Sequence, residues 1–478
     1  MKKLTFLLLS ISMLFTACDS TESDFTKIDL KNHSTTPHFL KLKSGFENLE
    51  VYSLLSSEDK LEGSPDFVYG SMADGAGLLR NADGTYTLIN NIEADYSIAR
   101  IILDETFKPI SGEYILNSNA TANTAQCSGT LITPAEHGFG PLYLSGGEWG
   151  GSNTNVFAVD PFKSASDASS SVILGAMGQW TVENAVPLGK NAYPGKTIVF
   201  IGDDSHGEAG GQLAMYMSDQ VGDLSGGKLY ALKVGDGTIT ANEIAEGGEF
   251  DAEFVELSEY SYDALNEECI AKKVMAFNRV EDIDYRKGSA ADNREVYFNA
   301  TGRSQYNDDR TKYGRVYKLV LDESNPLKAK ISVELDGDDL TGKAKAFHSP
   351  DNILVTENYA YIQEDPNGYA DDVNKEHDAY LYQYNLNTGE LKVVLESDHR
   401  SNSAVEGQYS LADDRWGKWE LTGMIDISDV VNEEGTFLLI QQAHSWYNDD
   451  FLNPDGVGSI EDSRNEGSIL TVIRGLDR

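Results

Sequence analysis

Short apolar runs rich in β-branched and aromatic residues recur along the chain and are bounded by Gly, Asn and Asp. Runs of this length and composition predict β-strands, whereas the amphipathic periodicity of helices is scarce. We therefore expect an all-β fold. Representative runs are Thr85–Ile89, Thr197–Ile201, Glu295–Phe298 and Thr436–Ile440.

A Tyr-centred strand, followed by a turn and a second strand, occurs three times, at Gly227–Leu232, Gly314–Leu319 and Ala379–Tyr384. This arrangement is typical of the outer hairpin of a propeller blade. The irregular spacing between copies requires long inserted loops. We predict a β-propeller with six blades, and a β-sandwich with appendages is the alternative. No linker divides residues 41–478, which are predicted to form a single domain.

The first residues have the features of an export signal. Lys2 and Lys3 precede the apolar run Leu4–Phe15, which ends in Thr16-Ala17-Cys18. This order predicts a lipoprotein signal peptide over residues 1–17, lipidation of Cys18 and a polar tether over residues 18–40. Ordinary secretion with Cys18 as a stray thiol is the alternative. Under the first interpretation the protein lies outside the cytoplasm, anchored to a membrane at the periplasmic face or the cell surface.

The charge balance limits the partners. The chain of 478 residues has 38 Lys and Arg against 77 Asp and Glu, a formal net charge of −39. Nucleic-acid binding needs clustered cations and is therefore excluded. The surplus carboxylates form either a solubilising coat or, in part, ligands for divalent cations such as calcium. Cys127 and Cys269 either pair in a disulfide or supply a thiolate to a metal.

Acidic and amide residues stand repeatedly at the ends of apolar runs. Any single example is explained by an Asx-turn or a hydrated loop carboxylate. Their joint recurrence predicts a cluster of oxygen ligands with one thiolate, a composition suited to calcium and iron. The segments are Asn91–Glu93, Gln126–Thr130, Ser145–Glu148, Val182–Ala185, Gly202–Asp204, Phe277–Asp282, Ser349–Asn352, Gln363–Asp365 and Glu420–Gly423.

In their order, these segments resemble the motifs of the PhoX-type alkaline phosphatases, a calcium- and iron-dependent family of β-propellers. The resemblance runs from about Tyr69 to His444. At Ile92 and Val182 the family usually has His. The matching segments are Asp74-Gly75 with Asn91–Glu93, Cys127–Thr130 with Leu144–Glu148, Gly178–Ala185, Arg279–Asp282, Ser349–Asn352 with Glu364-Asp365, Glu420–Gly423 and Ile440–His444.

The resemblance implies a phosphomonoesterase that acts by in-line attack of a metal-bound oxide or hydroxide. Arg279 would grip the phosphoryl oxygens and would be catalytic together with Glu281. Iron ligands would be Cys127, Glu183, Glu281 and Asp365. Calcium ligands, or groups that hold them in place, would be Glu93, Glu148, Glu364 and Glu420. His444 is either part of the closing motif or a loop histidine satisfied by backbone.

A second hypothesis is a non-catalytic surface lipoprotein whose propeller binds a small molecule or glycan. Its tryptophans would then line the mouth of the channel, and otherwise they belong to the propeller core. These residues are Trp149, Trp180, Trp416, Trp419 and Trp446.

Overall fold

The computed structural model describes residues 28–149, 153–303, 309–366, 372–400, 408–409, 416–457 and 465–478. The predicted signal peptide and Cys18 lie outside these ranges, so their assignment stays a prediction. Over the described ranges, no helix combines the length and the apolar character needed to cross a membrane.

Strands make up most of the described chain. In chain order they are β1 (Leu40–Leu42), β2 (Glu50–Ser56), β3 (Ala73–Arg80), β4 (Tyr86–Ile92), β5 (Ser97–Leu103), β6 (Pro109–Leu116), β7 (Ala125–Ile132), β8 (Leu142–Glu148), β9 (Val156–Val159), β10 (Val172–Ile173), β11 (Val182–Pro187), β12 (Thr197–Asp203), β13 (Leu213–Ser218), β14 (Lys228–Val234), β15 (Glu249–Glu256), β16 (Val280–Tyr285), β17 (Glu295–Ala300), β18 (Arg315–Leu321), β19 (Lys328–Asp336), β20 (Pro350–Val355), β21 (Tyr359–Glu364), β22 (Tyr380–Asn385), β23 (Leu391–Ser397), β24 (Glu420–Asp426), β25 (Thr436–Tyr447) and β26 (Glu466–Arg474).

Helices are short and few in the described ranges. The α-helices are α1 (Pro134–His137), α2 (Tyr262–Lys272) and α3 (Ser428–Val431), and the 3₁₀ helices are Ala165–Asp167, Gly175–Met177, Ala241–Glu243, Asp292–Arg294 and Asp449–Phe451.

The strands form antiparallel sheets arranged in a ring. β3–β6 and β7–β10 each form a four-stranded sheet, β20–β23 form another with β1 on its outer edge, and β24–β26 form a sheet that β2 completes. β11–β19 make one nine-stranded sheet. The inner strands β3, β7, β11, β16, β20 and β24 pack each against the next, and β24 packs back against β3. The predicted all-β propeller is therefore confirmed, and the sandwich alternative is wrong.

The prediction of six separate blades is not confirmed in that form. Among the described residues, the strands β11–β14 and β16–β19 belong to a single sheet because β15 bridges them. β15 pairs with β14 on one side and with β19 on the other, with Ala252 opposite Ala329. Pairing in this way covers two sheet edges that would otherwise expose unpaired backbone groups.

The Tyr-centred segments form β14, β18 and β22, and each pairs with the strand that follows it. The predicted polar tether, residues 18–40, is described only from Ile28 onward. Ile28 is buried in the core beside β3 and β4, and β1 pairs with β23, with Leu40 opposite Ser397. Ile28, Phe39 and Leu40 are therefore buried against the propeller, whereas Asp29, Lys31 and Asn32 between them are exposed.

Candidate metal site

In five of the six inner strands, an irregularity in the strand pairing contains a side chain that could bind a metal. In β3, β7, β11, β16 and β20 the register shifts at Ala73/Ala76, Gln126/Gly129, Val182/Ala185, Val280/Ile283 and Pro350/Ile353. A bulge of this kind bends a strand and re-aims a side chain. The first residue inside each shift is a potential metal ligand, and a small or polar residue follows it. The ligands are Asp74, Cys127, Glu183, Glu281 and Asp351.

These side chains meet two more from the ends of second strands, Glu93 and Glu148. Ligand atoms lie within 4.8 Å of one another in three overlapping groups of buried residues. The shared members, Cys127 and Glu183, join the groups into one continuous cluster. The groups are Asp74, Glu93 and Cys127; Cys127, Glu148 and Glu183; and Glu183, Glu281 and Asp351.

The cluster forms the wall of a cavity of about 570 Å³. Asp365 and Glu420 add further carboxylates to this wall, and Arg279 and His444 add nitrogen groups. Trp149, Trp416 and Tyr447 also line the cavity. A volume of this size falls within the range of small-molecule sites.

The cluster is electrostatically unfavourable without a cation. Burial, and then the neighbouring carboxylates, raise the pKa values of Asp74, Glu183 and Glu281 well above their usual range, although Arg279 opposes the shift at Glu281. The same two causes, burial first and Glu148 next, raise the pKa of the Cys127 thiol, whose Sγ donates to Glu148 Oε2 at 2.9 Å.

Buried like charges of this kind are stable when they coordinate a cation. Carboxylate oxygens suit calcium, and a thiolate among them suits iron. The residues present therefore fit the metals that the sequence predicted.

Arg279 is held on both sides by acids. Its Nε donates to Asp204 Oδ1 at 2.7 Å, and its Nη2 lies 2.6 Å from Glu281 Oε1. Burial raises the pKa of Asp204, but the charge of Arg279 and the hydrogen bonds to Glu148, Glu281 and Arg279 together lower it below its usual value. A guanidinium has five N–H donors, so these two contacts leave others for a ligand.

The backbone before three of the inner-strand ligands has the same unusual conformation. Met72, Arg279 and Ser349 have φ values of 56°, 62° and 60°, in the left-handed region. Each stands two residues before an acid of the cluster. Left-handed non-glycine residues cost of order 1–3 kcal/mol each and persist where the surrounding structure fixes them. The surroundings thus determine where Arg279 points.

His444 lies between two carboxylates. Its Nδ1 is 2.8 Å from Glu466 Oε2, and its Nε2 is 3.6 Å from Glu420 Oε2. Burial lowers the pKa of His444, but these two acids outweigh burial and raise it well above the usual value. The alternative of a loop histidine satisfied by backbone is wrong, because His444 belongs to β25 and both of its ring nitrogens face acids.

The structure places most of the predicted site residues around the same cavity. Glu364 is the exception. It is fully buried and accepts hydrogen bonds from His348 N at 2.8 Å, Tyr380 N at 2.9 Å and Tyr382 Oη at 3.0 Å. Successive side chains of a strand point to opposite faces of the sheet. Glu364 therefore points away from the cavity, whereas Asp365 faces it. The residues that line the cavity are Glu93, Cys127, Glu148, Glu183, Arg279, Glu281, Asp365 and Glu420.

Four residues of the site had no role assigned from the sequence. Asp74, Asp204 and Asp351 lie in segments that the sequence singled out, whereas Glu466 was missed altogether. Asp74-Gly75 and Asp351-Asn352 repeat the order of Glu183-Asn184, an acid followed by a small or polar residue, and this signal could have found two of them. No comparable signal marks Glu466.

The remaining alternatives are also resolved. Cys127 and Cys269 are both free and buried, so the disulfide alternative is wrong. Trp180, Trp419 and Trp446 belong to hydrophobic core clusters, whereas Trp149 and Trp416 line the cavity. Ile92 and Val182, which stand where the family usually has His, are buried in the apolar core.

Comparison with solved structures identifies a relative in fold. The chain is similar to Pseudomonas fluorescens PhoX, solved in complex with vanadate, a transition state analogue, with a TM-score of 0.64, 13% identity, and coverage of 94% of this chain and 98% of that one. The predicted likeness to PhoX is confirmed at the level of the fold. The WD40 domain of Neurospora crassa Pan2 gives a TM-score of 0.37 at 7% identity, covering 88% of this chain and 95% of that one. No family model and no curated protein matches the sequence.

Proposed function

We propose that this chain is an extracytoplasmic, metal-dependent phosphomonoesterase, an alkaline phosphatase of the PhoX type that releases inorganic phosphate. One observation carries the proposal: Arg279 stands in a cavity walled by a carboxylate and thiol cluster, in a fold shared with PhoX. Phosphate monoesters are dianions, so a site for them must combine a cation-binding wall with a directional donor. The cluster and Arg279 have these two properties.

The chain's own residues bind and orient the phosphoryl group. Arg279 presents a planar fork of donors that matches two phosphoryl oxygens, a geometry that lysine does not reproduce. Asp204 and Glu281 hold this fork in place before the substrate arrives. Such fixed donors favour in-line attack because they do not reorganise during the reaction.

The metal ions are an integral part of the proposal. When bound, they polarise phosphoryl oxygens and lower the pKa of a bound water. We assign iron to the thiol end of the cluster, with Cys127, Glu183 and Glu281 and with Asp351 or Asp365 completing the ligand set. We assign calcium to the other carboxylates, Asp74, Glu93, Glu148 and Glu420. Without cations the acidic wall would repel a phosphate dianion, so activity requires metal.

Turnover of p-nitrophenyl phosphate before and after chelation tests this function, with the metal content measured in both samples. We expect activity to disappear on chelation and to return with calcium and iron together. Full activity of the metal-free protein would contradict the proposal. The alternative of a non-catalytic binding protein predicts no turnover in the metal-loaded protein.

The location outside the cytoplasm rests on the sequence of the signal segment. We propose that Cys18 carries the lipid and anchors the protein to a membrane. Cells labelled with radioactive palmitate should incorporate label into the wild-type chain, and a Cys18→Ala variant should not. An unlabelled wild-type chain in the soluble fraction would instead indicate ordinary secretion.

A further inference from the structure

Two large aromatic side chains are exposed at the same cavity that holds the acidic cluster. Trp416 is 39% exposed and Tyr447 is 45% exposed, and both line the cavity. Soluble proteins keep most large aromatic surface away from water, and exposed aromatic groups at a cavity are typical of ligand contact. The metal and phosphate chemistry described above uses neither residue.

Trp416 is fixed in position by its neighbours. The guanidinium carbon of Arg400 lies 3.6 Å from the centre of the Trp416 ring, a cation–π contact. Asp378 accepts from Arg400 Nε at 3.0 and 2.9 Å and from Gly417 N at 3.0 Å. Arg400 therefore covers one face of the indole, and a planar ligand would stack on the opposite face.

Tyr447 is also held at a defined place. It ends β25, and its Oη donates to His444 O at 2.7 Å. His444 faces the carboxylates Glu420 and Glu466 of the cavity. The Tyr447 hydroxyl is thus hydrogen-bonded to the backbone of His444, a residue that lines the cavity.

We propose that Trp416 and Tyr447 form a leaving-group subsite that stacks a planar heterocyclic ring, so that nucleoside monophosphates are preferred over phosphate esters of simple sugars or polyols. The proposal rests on the proposed function and specifies its substrate class. Arg279, Trp416 and Tyr447 line the same cavity, so an ester whose phosphoryl group binds Arg279 has its leaving group in the cavity that these aromatic side chains line. A base is neutral and planar, and therefore suits aromatic side chains in a protein of strongly negative charge.

Adenosine 5′-monophosphate and ribose 5-phosphate test the subsite directly. Both release phosphate from the same 5′-oxygen, so their reactivity is matched and they differ in the base. We expect kcat/KM to be about tenfold higher for the nucleotide, in line with the strength of base–aromatic stacking. Trp416→Ala and Tyr447→Ala should lower this ratio toward one and leave kcat/KM for ribose 5-phosphate nearly unchanged.

Trp416→Phe keeps an aromatic face and should retain most of the preference. Phe162→Ala is the matched control, because Phe162 is 55% exposed and is not among the residues that line the cavity. A ratio near one in the wild type, or a ratio unchanged in both Trp416→Ala and Tyr447→Ala, would overturn the subsite while leaving the phosphatase function intact.

Adenosine itself distinguishes failure of the subsite from failure of the proposed function. Calorimetric titration with adenosine, with ribose as the control, needs no turnover. We expect adenosine to bind the wild type and to bind Trp416→Ala more weakly, even if no phosphate ester is hydrolysed. Equal binding to both proteins, or none to the wild type, would overturn the proposal.

Discussion

Arg279 and Asp204 are joined by a hydrogen bond of 2.7 Å between Nε and Oδ1. Asp204 directly follows β12, whereas Arg279 directly precedes the inner strand β16, so the contact joins two strand ends that are far apart in the sequence. The arginine is therefore held by a strand end distant in sequence, and not by its own loop alone.

Replacement of Arg279 should remove activity without removing metal. We expect Arg279→Lys to lower kcat/KM for p-nitrophenyl phosphate by about 10²–10³-fold, because one ammonium group cannot hold two phosphoryl oxygens. Metal content, measured by mass spectrometry, should be unchanged. Arg286→Lys, at the opposite end of β16 from Arg279, is the control and should keep full activity. Wild-type kcat/KM in Arg279→Lys would contradict the assigned role.

Cys127→Ser should remove iron selectively. A hydroxyl is a much poorer ligand for iron than a thiolate, whereas carboxylates continue to bind calcium. Elemental analysis and visible absorption spectra of the purified variant measure the change. Cys269→Ser is the matched control, because Cys269 is equally buried but packs in an apolar core. Unchanged iron content in Cys127→Ser would place the iron elsewhere.

The metal-free protein should lose stability as pH rises. Burial, followed by Asp365, raises the pKa of Glu420 from 4.5 to about 8. Between these values the unfolded chain has released a proton that the folded chain keeps, so the free energy of unfolding falls by about 1.4 kcal/mol per pH unit for this group.

Urea unfolding of chelated protein from pH 4.5 to 8 measures this slope. Glu420→Gln should make the slope shallower, and the metal-loaded protein should not show it. A free energy of unfolding that rises with pH in the chelated wild type would contradict the predicted direction of the pH dependence.

Gly202→Ala should disturb both packing and metal binding. A Cβ on Gly202 would lie 2.4 Å from Glu281 O and 2.8 Å from Val280 O, both backbone atoms of the next inner strand. We expect a loss of about 1–3 kcal/mol in the free energy of unfolding and reduced metal content. At Gly175 a Cβ would meet nothing within 4 Å, so Gly175→Ala is the control. Equal stability of the two variants would disprove this close approach.

The sequence predicted the parts of the fold and the site that depend on local pattern. Strand composition and the Tyr-centred hairpins led to a propeller, and the order of short motifs led to Cys127, Glu183, Arg279 and Glu281. β15 pairs with β19 and so joins β11–β14 and β16–β19 into one sheet. Pairing between the edges of two sheets leaves no pattern in the local sequence, so the sequence could not predict it.

The position of Glu364 away from the cavity has a simple physical cause. Glu364 and Asp365 are adjacent acids at the end of β21, and the alternation of side chains along a strand allows only one of them to face the cavity. Asp204 and Glu466 show the opposite limitation. They join the site through contacts to Arg279 and His444, and the spacing in sequence does not encode these contacts.

The pairing of β2 with β26 brings residues 50–56 and 466–474 into the same sheet. That sheet carries Glu420 and His444 and lies beside the strand of Asp74. During synthesis, the ribosome must therefore release residues 466–474 before the candidate metal site is complete. A nascent or truncated chain that lacks them would present scattered acids and a reactive thiol in place of a cage, so maturation with metals is expected to follow ring closure.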